Sequence, residues 1–309
     1  IYPASMNRLY GIFREKRWCY VGIFHPRIIF GCAFVHLGYL TSAFVFSFDR
    51  ENNKLTEVSA VFPPAGHIRF DRNPEKGICS YKSLWGKIQL NNRLSSGMLH
   101  LDTSMAFPGK SITADIVITT PKDEFSPMHF LMPMNNNNKA FTTKAAGLCA
   151  QGQISINRKG YKLSVDNTHA VFDWTNGFYP RSTFWNWACS AGISKNSSRI
   201  GFNLSSGVYE YGQLENTVWV NGKPQIIGPV IFSYDRKHPD RPWQIQSLCK
   251  TLDLSFIPEG ARQANDNFGF IQSRFYQGLG SFEGQINLPD FSDRIEGFSG
   301  VTEEHHARW

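Results

Sequence analysis

The sequence lacks the short motifs that mark several large classes of enzyme. It has no GxSxG elbow, no phosphate-binding P-loop, no HExxH, no CxxC pair and no GxGxxG turn between a strand and a helix. Each of these motifs fixes the geometry of a nucleophile, a phosphate-binding backbone, a zinc ligand or a redox pair. The sequence therefore gives no support to a serine hydrolase, a nucleotide-binding enzyme, a zinc protease or a Rossmann dehydrogenase, and we predict no metal site and no cofactor.

Charged residues are also scarce, at 18% of 309 residues, and the net charge is a modest +7. The lysines and arginines are scattered, as in RENNK, NRKG and YDRKHPDR, instead of forming one run. Nucleic-acid-binding proteins show a basic stripe or a recognised motif, so we predict no nucleic-acid partner. By contrast, 41% of the residues are hydrophobic and 14% are aromatic, which suits a folded interior rich in rings.

The cysteines are too far apart to suggest a disulfide framework, which is typical of short secreted domains. The six are Cys19, Cys32, Cys79, Cys149, Cys189 and Cys249. We predict that most of them are buried and reduced. The segment IYPASMNRLYGIFREKRW shows no basic region followed by an apolar one, so no secretory signal is predicted and a cytoplasmic location is expected.

One apolar run, IIFGCAFVHLGYLTSAFVFSF from Ile28 to Phe48, is long enough to span a bilayer. Gly31 and Gly38 interrupt it, β-branched and aromatic residues dominate it, and a polar turn follows it. These features favour two buried strands over a membrane helix, so we predict no stable membrane insertion.

Short apolar runs separated by polar turns recur along the chain and predict an all-β fold. TVWVNGKPQII contains Asn221-Gly222, which is typical of a two-residue hairpin turn, and QISINRKGYKLSV contains Gly160. Such spacing favours an antiparallel sandwich or barrel. The best candidates for short helices are SMNRLYGIFREKRW and TTKAAGL. A polar tract at residues 135–138 divides the chain into predicted domains at residues 1–140 and 141–309.

The densest aromatic stretch is FDWTNGFYPRSTFWNWACSAG, which places Asp173 and Arg181 among rings. TNGFYPRS predicts a turn that brings these two side chains together at a barrel mouth. In the FWNW strand, alternation places Trp185 and Trp187 on one face and Asn186 on the other. Either face could line a barrel interior, so the pattern indicates a cavity without choosing its wall.

Several long motifs resemble the family catalogued as domain of unknown function 2804. They are KAAGLCAQGQI, the aromatic stretch itself, ENTVWVNGK, PWQI and GFSGVTEEHHARW, with KRWCYVGIFHP and VFPPAGHIRFD in the N-terminal half. The resemblance covers essentially the whole chain. It implies no activity, because the family has no established one.

A more distant resemblance is to the AttH-like and carotenoid hydratase proteins of the lipocalin (calycin) superfamily. The order of elements around Gly152, Asp173, the FWNW run and FNLSSG is similar to theirs. This resemblance implies two lipocalin-like antiparallel barrels, and it implies ligands such as isoprenoids or polyketides. Asp173 matches an acidic position of that family, but Trp174 stands where the family has histidine, so the resemblance gives no support to an acid-base role copied from it.

Several residues are candidates for the site. Asp173, walled by rings, is a candidate general acid that could protonate an alkene, or it could be a structural partner of Arg181, which is itself a candidate anion clamp. The terminal EEHHARW holds the candidate acid-base residues Glu304 and His306. The candidate ligand-binding residues are Lys144, Trp174, Tyr179, Trp185, Asn186 and Trp187.

These observations predict a protein that binds a small apolar or amphipathic molecule in an aromatic barrel cavity. The first functional hypothesis is a cofactor-independent lyase, hydratase or cyclase with Asp173 as the acid. A carbohydrate-active enzyme is an alternative, because Asp173 could pair with Glu210, Glu215 or Glu304 as two facing carboxylates. A non-catalytic ligand carrier is the third hypothesis, and the sequence leaves the oligomeric state open.

Overall fold

Two antiparallel β-sheets make up the fold, as a computed structural model shows. The structure describes residues 13–62, 68–121, 124–134, 138–207, 214–267, 269 and 271–309. The first sheet contains β1 (Glu15–His25), β2 (Ile28–His36), β3 (Thr41–Asp49), β4 (Lys54–Phe62), β5 (Ile68–Phe70), β6 (Gly77–Ser83), β7 (Gly86–Arg93), β8 (Met98–Phe107), β9 (Lys110–Thr119), β10 (Met128–Pro133), β11 (Lys139–Ile156), β12 (Lys159–Leu163) and β13 (His169–Phe178). The second contains β14 (Ser182–Ile193), β15 (Arg199–Ser206), β16 (Thr217–Val220), β17 (Lys223–Ile226), β18 (Val230–Ser233), β19 (Trp243–Ser247), β20 (Leu252–Asn267), β21 (Gln272–Leu288) and β22 (Phe291–Arg308).

The predicted all-β class is confirmed, and so are its strongest local signals. Asn221 and Gly222 form the turn between β16 and β17, with φ angles of 49° and 89°. The apolar run from residue 28 to 48 forms β2 and most of β3 rather than a membrane helix. In the described part of the chain no helix is long and apolar enough to cross a membrane.

Two local predictions were wrong. TTKAAGL, a candidate helix, lies inside β11, because hydrogen bonding to strands on both sides outweighs the helix preference of alanine and leucine. TNG, a predicted turn, lies inside β13, and the chain bends only after Phe178. The first twelve residues of the chain, which include most of the other candidate helix, lie outside the described residues.

Each sheet curls around a core of its own. The order of the first sheet is β4-β3-β2-β1-β13-β11-β9-β8-β7-β6-β5, with β10 and β12 each paired to β11 off this path. The order of the second sheet is β17-β16-β15-β14-β22-β21-β20-β19-β18. The apolar core of the first sheet includes Phe30, Leu101 and Phe172. Phe202 and Phe256 represent that of the second. The two curled sheets therefore enclose separate interiors.

A third core lies between the sheets, where their outer faces pack together. It contains Tyr20 and Val171 from the first sheet and Trp187, Leu279 and Val301 from the second. Because side chains alternate along a strand, each central strand supplies one face to its own interior and the other face to this interface. Residues next to each other in sequence thus lie in different environments.

The change from one sheet to the other occurs at residues 179–181, later in the chain than the predicted boundary near residue 140. The polar tract there joins β10 to β11, which pair within the first sheet, and residues 135–137 lie outside the described residues. The division into two domains stays a prediction.

The six cysteines are all free thiols, as expected from their spacing. Cys19, Cys32, Cys79 and Cys189 are buried. Cys149 is half-buried and Cys249 is exposed.

Candidate functional site

A row of polar side chains crosses three central strands of the first sheet, on the face that meets the second sheet. Asp173 of β13 lies directly opposite Tyr20 of β1 on one side and Lys144 of β11 on the other. All three side chains are buried. Strand register therefore joins residues that are far apart in sequence.

Lys144 lies between two buried carboxylates. Its Nζ is 2.6 Å from Asp173 Oδ2 and 3.5 Å from Glu215 Oε2. Burial lowers the pKa of Lys144, but the charges of Asp173 and Glu215 outweigh this and raise it overall. Burial raises the pKa of Glu215, against the opposing charge of Lys144. Lys144 is thus a fixed cation that holds Asp173 as its closest partner.

A second row on the facing sheet meets the first. Trp187 of β14 lies opposite Glu303 of β22, which lies opposite Gln277 of β21, which in turn lies opposite Arg262 of β20. All four are buried. Two rows of polar and aromatic side chains therefore face each other across the interface.

Glu303 is the acidic side chain of this second row. Trp185 Nε1 donates to its Oε1 at 2.7 Å, and Gln277 Nε2 donates to its Oε2 at 3.4 Å. Burial raises the pKa of Glu303 to about 7, and the Trp185 hydrogen bond and the Arg262 charge only partly oppose that rise. Glu303 can therefore gain or lose a proton near neutral pH.

Arg262 crosses the interface. Its Nη2 is 2.7 Å from Glu57 Oε1 of β4, and its Nη1 donates to Gln277 Oε1 at 2.9 Å. Its guanidinium carbon lies 4.1 Å and 4.4 Å from the ring centres of Phe44 and Phe46. This side chain joins the sheets by charge and by ring contact.

Aromatic rings form the walls around these groups. The Tyr20 ring meets Trp187 edge to face at 5.6 Å, and Lys144 Nζ lies 5.9 Å from the Trp187 ring. Further along, Trp18 stacks near Trp185 at 6.3 Å, and both are partly exposed. The buried Tyr20 hydroxyl has no hydrogen-bond partner among the residues that the structure describes.

Asp173 and Arg181, which the sequence predicted to meet at a bend, are separate. Arg181 is exposed, and its Nη1 donates to the carbonyl of Trp309 at 2.7 Å. The reason is that β13 continues past Asp173 to Phe178, so the bend lies too far along the chain. Asp173 pairs with Lys144 instead.

Asn186, Glu304 and His306 lie on the opposite face of the second sheet. Asn186 Nδ2 donates to the Tyr234 hydroxyl at 2.9 Å, and that hydroxyl donates to Glu304. His306 Nε2 and Arg274 Nη2 are 3.4 Å and 3.3 Å from Glu304 Oε1. Because Glu303 and Glu304 are neighbours on one strand, alternation places Glu303 at the interface and Glu304 on the opposite face of the sheet.

The two remaining aromatic candidates also lie away from Asp173. Trp174 points into the core of the first sheet, on the other face of β13. Tyr179 is buried beside Met132 and Met134, with its ring 5.1 Å from Trp18. Of the residues predicted from sequence, the structure brings together Lys144, Asp173, Trp185 and Trp187.

Sequence reasoning missed Tyr20, Gln277 and Arg262 altogether, and it considered Glu215 only as a possible carboxylate partner. Glu303 stood within the terminal motif, but its neighbours Glu304 and His306 were chosen. The alternation of side chains along EEHHARW could have identified Glu303. It places Glu303 and His305 on one face of the strand and Glu304 and His306 on the other. Glu210 lies outside the described residues.

Two open clefts lie apart from this site, and the described residues contain no candidate metal-binding group. Within the described residues, no group of three or more His, Cys, Asp or Glu side chains could hold a metal ion. Clefts of about 640 Å³ and 750 Å³ lie beside Arg69 and Arg93 and beside Gln246 and Asp253. Neither borders Asp173 or Glu303, so we place the site by its buried charges.

Solved structures with similar folds support the architecture. An AttH-like protein from Nitrosomonas europaea has a TM-score of 0.53 at 14% identity, covering 94% of this chain and 92% of its own. Kievitone hydratase from Nectria haematococca has a TM-score of 0.53 at 10% identity, with 98% and 93% covered. CghA has a TM-score of 0.58 at 10% identity, with 94% and 88% covered.

At these identities the similarity shows the fold alone: two curled antiparallel sheets of the lipocalin-like type. No curated protein matches the sequence. The family model described as "Domain of unknown function (DUF2804)" matches residues 4–309. The chain therefore belongs to the DUF2804 family, as its sequence motifs predicted.

Proposed function

We propose that this protein is a cofactor-independent hydratase, lyase or cyclase, acting on a small apolar or amphipathic molecule that enters the interface between the two sheets beside the partly exposed rings of Trp18 and Trp185. The observation that carries the proposal is the carboxyl group of Glu303, which is buried at the interface with a pKa raised to about 7. A general acid works best when its pKa lies near the working pH. The similarity in fold to kievitone hydratase supports the reaction class.

Glu303 is the proton donor in this proposal, instead of Asp173. Asp173 is engaged by Lys144, whose Nζ lies 2.6 Å from its Oδ2. Among the described residues, no lysine or arginine forms an ion pair with Glu303, and its hydrogen-bond partners Trp185 and Gln277 are neutral. His305 Nδ1 lies 3.9 Å from Glu303 Oε1, but burial lowers the pKa of His305 to about 3, so that ring is neutral near pH 7. The neutral carboxylic acid is the form that can protonate a substrate.

The reaction follows from these positions. The proton of Glu303 adds to one carbon of an alkene, and the positive charge develops on the other carbon. The Asp173 carboxylate and the rings of Tyr20, Trp185 and Trp187 stabilise that charge. In a hydratase, water then bonds to the cationic carbon and returns a proton to Glu303. In a cyclase, a second double bond of the substrate bonds to the cationic carbon instead, and the new cation that this creates loses a proton to the Glu303 carboxylate, which gives an isomeric alkene.

The test begins with the ligand. Native mass spectrometry of gently purified protein, followed by denaturing extraction, identifies any molecule that is retained. An unsaturated lipid or isoprenoid among the extracted molecules would then be incubated with the protein in oxygen-18 water. Incorporation of the heavy oxygen reports hydration directly, and an isomeric product of unchanged mass reports cyclisation.

Two neighbouring variants provide a matched comparison. Glu303→Gln should lower turnover by about 10²- to 10⁴-fold while retaining ligand binding. Glu304→Gln should retain most turnover, because its carboxyl group lies on the other face of the sheet. The opposite ranking would contradict the proposal.

The two alternative functions give different results in the same experiments. A carrier would retain its ligand without converting it, in the wild type and in both variants. A carbohydrate-active enzyme would retain no lipid and would shift its tryptophan fluorescence with oligosaccharides.

A further inference from the structure

One end of the first sheet presents an apolar hairpin tip to solvent. Leu84 and Trp85 form the turn between β6 and β7. The relative exposure of Leu84 is 103% and that of Trp85 is 46%, so Leu84 is more exposed than any other large hydrophobic side chain among the described residues. Turn positions favour Gly, Asn, Asp and Ser, which makes a leucine and a tryptophan unusual there.

The tip is held in place by a neighbouring turn. The Trp85 ring stacks on Phe107 with centres 4.5 Å apart, and the backbone N–H of Ala106 donates to the Trp85 carbonyl at 2.9 Å. Phe107 begins the turn that joins β8 to β9. Trp85 is therefore held in place, and the Leu84 side chain beside it is exposed to solvent.

Positively charged side chains lie at the same end of the sheet as this tip. Lys82 and Lys87 flank it in sequence, Lys110 lies opposite Phe107, and Arg158 occupies the next turn, whose Asn157 bonds to Ser111. Lys87 pairs with Asp102, which leaves three cations beside the apolar side chains. Lys82, Lys110 and Arg158 are all exposed.

We propose that this end of the first sheet, the hairpin tip Leu84–Trp85 with Lys82, Lys110 and Arg158, docks on an anionic lipid surface. Tryptophan is favoured at the boundary between headgroups and acyl chains, and leucine gains by leaving water. Lysine and arginine near the surface are attracted to anionic headgroups. Reversible docking of this kind needs no membrane-spanning segment, and it does not depend on the function proposed above.

The test is cosedimentation of the full chain with vesicles of phosphatidylcholine alone and of phosphatidylcholine mixed with phosphatidylglycerol. We expect binding to the mixed vesicles that weakens with added salt. Leu84→Ser should weaken it roughly tenfold, and Lys82→Gln or Lys110→Gln about fivefold each. The matched control is Leu248→Ser, since Leu248 is an exposed leucine in the turn between β19 and β20 of the second sheet.

Tryptophan fluorescence gives a second readout. With mixed vesicles the emission of the wild type should shift to shorter wavelength, and the shift should vanish in Trp85→Phe. Wild-type protein that stays in the supernatant with both vesicles would overturn the proposal. Equal binding of Leu84→Ser and wild type, or weakening by Leu248→Ser instead, would overturn it too.

Discussion

At the residue scale, Lys144 is the cation that compensates the buried carboxyl groups of Asp173 and Glu215. Replacing it by methionine leaves Asp173 and Glu215 buried without their cation. Breaking a buried ion pair on one side is strongly destabilising, so we expect Lys144→Met to lower the free energy of unfolding by about 3–5 kcal/mol in urea titrations at neutral pH. The control Lys195→Met removes an exposed pair with Glu296 and should change the free energy of unfolding far less, because water screens exposed pairs. Equal effects would contradict this assignment.

The pH dependence of the free energy of unfolding tests whether burial raises the pKa of Glu303. Its pKa in the folded protein is about 7, above the ordinary value of 4.5. The protonated form thus stabilises the fold below pH 4.5, and that contribution is lost as the pH rises through 7. Glu303→Gln cannot titrate, so the stability of the wild type minus that of the variant should fall by about 3 kcal/mol across this range.

The measurement is urea unfolding of both proteins over the same series of pH values. Buried histidines such as His305, whose pKa burial lowers to about 3, act in the opposite direction. Their effect is present in both proteins, and subtraction largely removes it. A difference that does not change with pH would contradict the assignment of Glu303.

At the scale of strands, close packing between the sheets depends on a glycine. A Cβ added to Gly201 of β15 would come within 2.3 Å of the backbone nitrogen of Gly147, where β11 bulges. Both backbones are hydrogen-bonded within their own sheets, so neither can shift to make room for the added methyl group without straining its sheet. Gly201→Ala should therefore destabilise the protein by about 1–3 kcal/mol. Gly160→Ala is the control, because no atom lies within 4 Å of its added Cβ. Thermal unfolding of both variants measures the difference, and equal midpoints would contradict this contact.

The strands were easier to predict from sequence than the site. Local signals such as Asn221-Gly222 decide hairpins, although the turn near Gly160 lies at Asn157 and Arg158, both with positive φ. The pairing of Lys144 with Asp173 depends on which strands meet and in what register, which no local pattern contains. Glu215 and Glu303 come to the site from the other sheet, so only the packing of the sheets brings them there.

At the scale of the whole molecule, the shared core predicts that the two sheets unfold together. The interface buries Tyr20, Trp187 and Val301 from both sides, and Arg50 of the first sheet binds Glu259 of the second through two hydrogen bonds. Separating the sheets would expose this apolar surface and unpaired charges. Urea unfolding followed by circular dichroism and by tryptophan fluorescence should give one coincident transition. Two separated transitions would show that each sheet is stable alone.

One titratable group, the Glu303 carboxyl between the sheets, decides the proposed function. An NMR titration of the side-chain carboxyl carbons, with the Glu303 signal assigned by its loss in Glu303→Gln, measures its pKa directly. We expect a midpoint of about 7. A midpoint near the ordinary value of 4.5 would mean that Glu303 is a carboxylate at neutral pH, and the proposed proton donor would be excluded.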